Sequence, residues 1–238
     1  VYVGFENFLY LFEDPIFWIS LWVTLKLNLI INPLQVGLAL ILALLLTRHK
    51  YIRTIYMLPL GISLPIASII WRIILDPSQG IANGLLKWVG IPPQPFFTSA
   101  GQALWSVILI ANWKGLAFWM IFLIAGLQNI PSTYYDAARI DGANLWQEII
   151  YVSIPLLRRI ILFVLVVDTS VNFVLFVPMY IITRGGPQLS TNVLMYEAYR
   201  AGFTYQDLGR AMSIAMILLV IVLAVVGVQF KLLQTREY

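Results

Sequence analysis

Residues 132–155 read STYYDAARIDGANLWQEIIYVSIP, a mostly polar island between two long apolar runs, and the reading of this island decides the fold. Pro131 suits the first turn of a helix, and Thr133-x-x-Asp136 is spaced to cap one running to Ile140, with Ala137 and Ala138 leaving one side nearly flat. Asp141-Gly142 favours a turn, because glycine accepts backbone conformations closed to other residues. Asn144-x-x-Gln147 then starts a second short helix carrying Trp146, Ile149 and Ile150, and Pro155 opens the next apolar run. The expected shape is a helix, a sharp bend and a helix. It stands either as a docking surface for another chain or as an ordinary amphipathic loop lying on a membrane.

The membrane follows from composition. Of 238 residues, 61% are hydrophobic and 11% charged, with a mean hydropathy of +0.86. Soluble domains carry roughly a quarter charged residues, so lipid is the main solvent here. No polar block is long enough for a separate soluble domain, and residues 1–238 are expected to form one all-α transmembrane domain. There is no cysteine, and the single His49 sits in a basic loop, which argues against metal sites, disulfides and thiol chemistry.

Outward from the island, five spans are expected. The first covers about 17–46, with Pro33 as a kink, and ends in a basic turn of Arg48, His49, Lys50 and Arg53. The second, 55–75, carries Pro59, Gly61 and Pro65, a density of breakers that lipid tolerates only where other groups satisfy the freed carbonyls. An external loop at about 76–101 leads to the third span, 102–127. After the island, a fourth span runs from 156 to 183. A second external segment, about 184–210, holds a short helix near 191–201 and a Thr204-x-x-Asp207 box that would start the last span, 211–232. Val1–Asp14 reads as an interfacial lead-in without a signal peptide's basic start, and a further span is expected before it.

Loop charge sets orientation. Eight cations fall on the island's side (Arg48, Lys50, Arg53, Arg139, Arg158, Arg159, Lys231, Arg236) and four on the other (Lys87, Arg184, Arg200, Arg210). By the positive-inside rule, the 132–155 loop and the C-terminus are cytoplasmic, so the net charge of +4 reflects topology rather than a nucleic-acid partner.

Within the spans, Lys26 and Arg72 lie near span ends and can snorkel. Lys114 and Asp168 differ: each is 13 residues from the inner end of its span, a common depth of about 20 Å. Two readings stay open for them, an ion pair across adjoining spans or separate hydrogen bonds to a substrate. Asn172 lies one turn beyond Asp168, and Gly115 and Phe118 follow Lys114, a mixture of amide and aromatic suited to a sugar.

The tract Asp136-Ala137-Ala138, Asp141-Gly142-Ala143 and Ile154-Pro155 resembles the cytoplasmic coupling motif of ABC importer permeases, with Asp136 where that pattern has Glu. Gly4, Asn7, Tyr10, Arg53–Pro59, Trp71, Ala125–Gln128 through Pro131, and Thr183–Pro187 with its Gly-Gly-Pro extend the likeness, pointing to the maltose-permease F-like branch of carbohydrate importers. The resemblance implies a polytopic helical permease subunit in a prokaryotic cell membrane. It implies a second homologous permease subunit, two ATP-binding cassette subunits and an extracytoplasmic solute-binding protein as partners, with ATP and Mg bound by the cassettes and no cofactor in this chain. It also implies that Asp136, Ala137, Ala138, Asp141, Gly142, Ala143 and Pro155 couple to the ATPase. The stretches around Gly115 and the Asn172-Phe173 pair would line the pathway, beside Lys114, Phe118 and Asp168.

No Gly-x-x-x-x-Gly-Lys-Ser/Thr loop is present, so ATP hydrolysis belongs elsewhere. The expected function is a sugar importer's pathway subunit, with glycerol phosphate as an alternative substrate. A proton-coupled secondary transporter using Asp168 and Lys114 is the second reading; the absence of internal repeats weighs against it. An enzyme would need paired catalytic groups that the sequence lacks.

Overall fold

The computed structural model describes residues 4–47 and 49–233. Arg48 and Arg236, used above for orientation, lie outside them, as does the start of the lead-in. Among the described residues there is no strand. Four helices among the described residues are long and apolar enough to cross a membrane, and a fifth candidate is a bent pair.

The bundle is organised around α2 (Pro15–Leu46), which follows a short lead-in helix α1 (Glu6–Glu13). Asp14 and Pro15 fix its start: the Asp14 carboxylate accepts the Ile16 N–H at 2.8 Å, and proline at the first helical position has no N–H to leave unpaired. Pro33 lies inside α2, which continues past it to Leu46.

α6 (Ala103–Gln128) runs parallel to α2. Near their starts Val23, Leu27 and Ile31 pack with Leu104, Val107 and Ile108. Near their ends Ala39, Ala43 and Leu46 pack with Met120, Leu123 and Leu127. α8 (Leu145–Phe173) returns antiparallel, placing Leu157 and Val164 in the second cluster. Gly126 lets it approach closely, since a Cβ there would sit 2.4 Å from Ile160 Cδ1 and 2.7 Å from Leu157 Cδ2. The last helix, α10 (Leu208–Leu233), closes the bundle through Ile214 and Leu218 against Leu11, Phe17 and Phe173.

Two expected spans are corrected. The second is broken: α3 (Lys50–Met57) passes through a tight turn at Leu58–Gly61 into α4 (Leu64–Ile74), bent by 102°. Pro59, Gly61 and Pro65 together stop the hydrogen-bond ladder rather than merely kinking it. The fourth span ends at Phe173 instead of 183, and Pro178 has no N–H with which to continue the helix. Leu175, Met179 and Val193 in the following segment pack on the first halves of α2 and α6, so irregular backbone at that depth is covered by protein. The two segments expected to be external contain α5 (Ile81–Trp88) and α9 (Leu194–Tyr199).

Two expected caps are also corrected. Pro131, not a Thr133–Asp136 box, precedes the helix Ser132–Ile140 (α7), with no side-chain cap. Asp207 caps α10 directly by accepting the Arg210 N–H at 2.9 Å, which leaves Thr204 in the preceding turn without that role.

Replacing Gly126 by Val should overpack the α6–α8 contact and destabilise the assembly by about 1–3 kcal/mol. Thermal unfolding of the detergent-purified complex checks this, and an unchanged transition would contradict the close approach.

Candidate functional site

The 132–155 island folds as a braced hairpin. α7 ends in a left-handed glycine, Gly142 with φ +84°, which no Cβ contact crowds. The Ala143 N–H reaches back to the Ala138 carbonyl at 2.9 Å and the Gly142 N–H to that of Arg139 at 3.0 Å, the paired bonds of a Schellman closure. α8 begins with the expected capping box: Asn144 Oδ1 accepts the Gln147 N–H at 3.0 Å, and Gln147 Oε1 accepts the Asn144 N–H at 2.8 Å. The sequence does not announce the bracing between the two helices. Arg139 donates to both oxygens of buried Glu148, at 2.8 and 3.2 Å, and Tyr135 Oη lies 3.0 Å from Ser153 Oγ. The Glu148 carboxylate pushes the Arg139 guanidinium above its ordinary pKa, so that partner stays charged.

The outward face is apolar with two acids, Asp136 and Asp141. Ile140, Leu145 and Trp146 are 86%, 70% and 74% exposed. Asp136 is exposed and lies 3.6 Å from Arg139. Ala137, Asp141 and Gly142 are exposed, while Ala138 and Ala143 are half-buried. Pro155 does not separate two helices as expected. α8 is continuous, with a wide π turn over Glu148–Ser153 just before Pro155, where the missing N–H is absorbed.

Halfway along the bundle lies a buried polar layer. The Asn172 amide donates to Asn32 Oδ1 at 2.8 Å and to Gln35 Oε1 at 3.1 Å. Asn32 in turn donates to Thr169 Oγ1 at 3.2 Å, Gln35 to the Ala111 carbonyl at 3.0 Å, and Gln229 of α10 to Thr169 at 2.8 Å. Gly115 is part of this layer, because a Cβ there would lie 1.7 Å from Gln35 Nε2. Asp168 is 1% exposed and accepts the Trp119 indole N–H at 2.6 Å.

Lys114 and Asp168 do not pair. Lys114 and Trp119 are five positions apart on α6, which turns them about 140° from one another around the helix. Trp119 faces Asp168, and the Lys114 ammonium donates to the Pro59 carbonyl at 2.6 Å and the Leu60 carbonyl at 3.4 Å, both in the turn of the broken span. Phe118 is 44% exposed on the Lys114 side, whereas Phe173 is 2% exposed and packs in an apolar cluster with Phe17 and Leu194. Lys26 and Arg72 are exposed, as snorkelling side chains should be.

Sequence reading missed the partner of Asn172. Ser20, Thr24, Asn28, Asn32 and Gln35 form a buried column along α2, and their spacing of four, four, four and three is the readable signal. The column continues to the opposite end of the bundle, where Thr24 Oγ1 accepts the Leu194 N–H at 2.8 Å and Asn192 donates to Ser20 at 2.7 Å and Glu197 at 3.0 Å. There Arg210 bridges Asp14 at 2.6 Å and Glu197 at 2.7 Å. A cavity of about 340 Å³ between α2, α6 and the broken span is lined by apolar groups including Leu42, Pro59, Trp113 and Met120. No cluster of metal-ligating side chains occurs among the described residues.

A multispan bundle with a buried polar layer and a braced, exposed hairpin fits a membrane transport subunit. The chain belongs to the family described as binding-protein-dependent transport system inner membrane component, whose profile matches residues 15–236. It is 37% identical over 97% of its length to the probable ABC transporter permease YesP of Bacillus subtilis, covering 77% of that protein. It is 32% identical over its full length to the sn-glycerol-3-phosphate transport system permease UgpA of Brucella abortus, covering 82%. It is 29% identical over 99% to the sulfoquinovosyl glycerol transport system permease SmoG of Agrobacterium fabrum, covering 78%. Its fold matches a chain of a bacterial alginate ABC transporter, solved with an alginate-bound periplasmic protein, at a TM-score of 0.89 over 99% of this chain and 86% of that one, with 24% identity. The chain is therefore an ABC importer permease, a membrane-embedded transport subunit rather than an enzyme.

Replacing Asn172 by Leu removes two interhelical hydrogen bonds and leaves Asn32 and Gln35 acceptors unpaired. Such bonds average about 0.6 and reach about 1.7 kcal/mol in membranes, so a loss of about 1–2 kcal/mol is expected in a denaturant titration of the purified complex.

Proposed function

We propose that this chain forms half of the translocation pathway of an ATP-driven importer for a sugar or a related polyol ester, delivered by an extracytoplasmic binding protein. A second permease chain supplies the other half, and two ATP-binding cassette subunits, which hold ATP and Mg, drive it. The observation that carries this reading is the hairpin. It presents an exposed apolar face with Asp136, and it continues without interruption into the helix bearing Asp168 and Asn172. An ATPase docked on Asp136, Ala137, Ala138, Asp141, Gly142 and Ala143 would thus move the wall of the pathway through α8 and Pro155. Loop charge supports a cytoplasmic hairpin and C-terminus. Lys114, Gly115, Phe118, Asp168 and Asn172 form the substrate-facing set in this reading, directly or by positioning.

The substrate class is supported by the relatives: UgpA is named for sn-glycerol-3-phosphate and SmoG for sulfoquinovosyl glycerol. Proton coupling through Asp168 and Lys114 has no such support, since each holds a different partner.

Gly142→Val tests the hairpin. A β-branched residue at φ +84° is strained, by about 1–2 kcal/mol, and the bend that aims the docking face should shift. Uptake driven by ATP in vesicles should fall severely while the amount of this chain in the membrane is retained. Wild-type coupling in this variant would refute the docking role.

A further inference from the structure

Lys114 presents a charge that the bundle itself does not neutralise. Its ammonium has three donors, and the structure engages them with two backbone carbonyls, those of Pro59 and Leu60. Carbonyls satisfy hydrogen bonds but carry no net charge. Among the described residues no carboxylate lies within ion-pair reach of it: of the two acids within the described spans, Glu148 is held by Arg139, and Asp168 is 1% exposed and turned to Trp119 on another face of α6. A lysine at the centre of a membrane helix costs about 2.5–3.5 kcal/mol to insert, so it is expected where a cavity or an anion meets it.

The surroundings are those of a ligand site rather than a helix cap alone. Lys114, Phe118 and Phe122 follow one another at four-residue spacing on α6, and the two rings are 44% and 36% exposed. Phe122 also meets Phe163 of α8, with ring centroids 5.8 Å apart, so the face is open mainly at Phe118, beside half-exposed Lys114. Aromatic rings offer apolar faces to the C–H surfaces of a sugar, while a compact ammonium suits a carboxylate, phosphate or sulfonate group. The 102° bend of the broken span brings the carbonyls of its turn to Lys114, fixing the ammonium in place before any ligand arrives and leaving it a donor to spare.

We propose that Lys114 is the anion-recognition residue of the pathway, and that the transported solute is accordingly an acidic carbohydrate or polyol ester, its negative group held by Lys114 and its ring or chain lying on Phe118. This rests on the importer reading above and sharpens its substrate class.

The test uses the complete importer, purified without its binding protein, and ligand-observed NMR at low salt. The probes are sn-glycerol 3-phosphate, galacturonate and digalacturonate, set against their neutral counterparts glycerol, galactose and α-1,4-galactobiose. An acidic probe should bind and its neutral counterpart should not. Lys114→Gln, which keeps a donor for the Pro59 carbonyl but loses the charge, should weaken acid binding by about tenfold or more, the scale of one charge-assisted hydrogen bond. Lys114→Arg should retain binding, and the melting temperature of the Gln variant should stay near wild type. Equal binding of acidic and neutral probes, binding of none of the acids, or undiminished acid binding by Lys114→Gln overturns the proposal. Failure of the broader reading looks different: ATP-driven uptake of neutral sugars would keep the importer assignment and sink only the anion, whereas uptake of no carbohydrate or polyol ester at all would sink the assignment.

Discussion

The hydrogen bond from the Asn172 amide to Asn32, at 2.8 Å, sets the register on which the bundle depends. Apolar packing between α2 and α8 would tolerate sliding, because lipid competes for the same surfaces and one aliphatic side chain replaces another. The amides do not tolerate it. A slip of one helical turn, about 5.4 Å, moves Asn172 from Asn32 to Val36 in one direction and strands a donor in a medium without water. Each bond in the layer is individually modest. Their value lies in coupling: Gln35 ties α2 to α6 through Ala111, and Thr169 ties α8 to α10 through Gln229. One layer thereby fixes four long helices with respect to one another.

The same constraint explains where irregular backbone is allowed. Around 58–63 the broken span releases carbonyls, and Lys114 from α6 meets them. Between 174 and 193 the chain abandons the helix that α8 would otherwise continue, and Thr24 from α2 meets the Leu194 N–H while Thr191 meets the Gly186 carbonyl. In both places a polar side chain, chosen at one position, substitutes for water. The regular helices therefore do more than span: they carry the hydrogen-bonding groups that let neighbouring segments deviate from helix, and those deviations produce the concave surfaces a pathway needs.

How much of this the sequence discloses depends on the range of the interaction. The hairpin is readable because its signals are local: Asp141-Gly142 turns the chain whatever surrounds it, and the Asn144–Gln147 box closes within one turn. The number and order of the spans follow from apolar runs, and the breakers at Pro59, Gly61 and Pro65 announce trouble in the second, though not its 102° extent. The sequence places Lys114 and Asp168 along their helices, but it does not give azimuth. Two residues at one level face each other only if their helices are rotated to permit it, and the packing that sets the rotation comes from distant residues. Phe173 shows the same limit: an aromatic beside Asn172 in sequence packs into the apolar cluster with Phe17. The polar column on α2 is the counterexample, a long-range feature with a local signature in its four-residue spacing.

The hairpin's bracing bears directly on how motion at one end could reach the other. α8 extends over 29 residues, about 43 Å of helix, from exposed Leu145 to the polar layer at Asn172. Its weak stretch is the π turn followed by Pro155, where the hydrogen-bond ladder is loosened and a push would otherwise be absorbed as bending. Glu148 and Ser153 are the first and last residues of that turn, and they are the two that α7 holds, through Arg139 and Tyr135. α7 thus splints the one place where α8 would flex. Under the proposed docking, a partner seated against the 132–155 face moves α7 and the splinted start of α8 as one body, and the displacement arrives at Asn172 as rotation or translation of a stiff rod. The layer there, with its discrete amide pairings, can answer such a displacement by exchanging partners rather than by gradual strain, which is the property a two-state pathway requires.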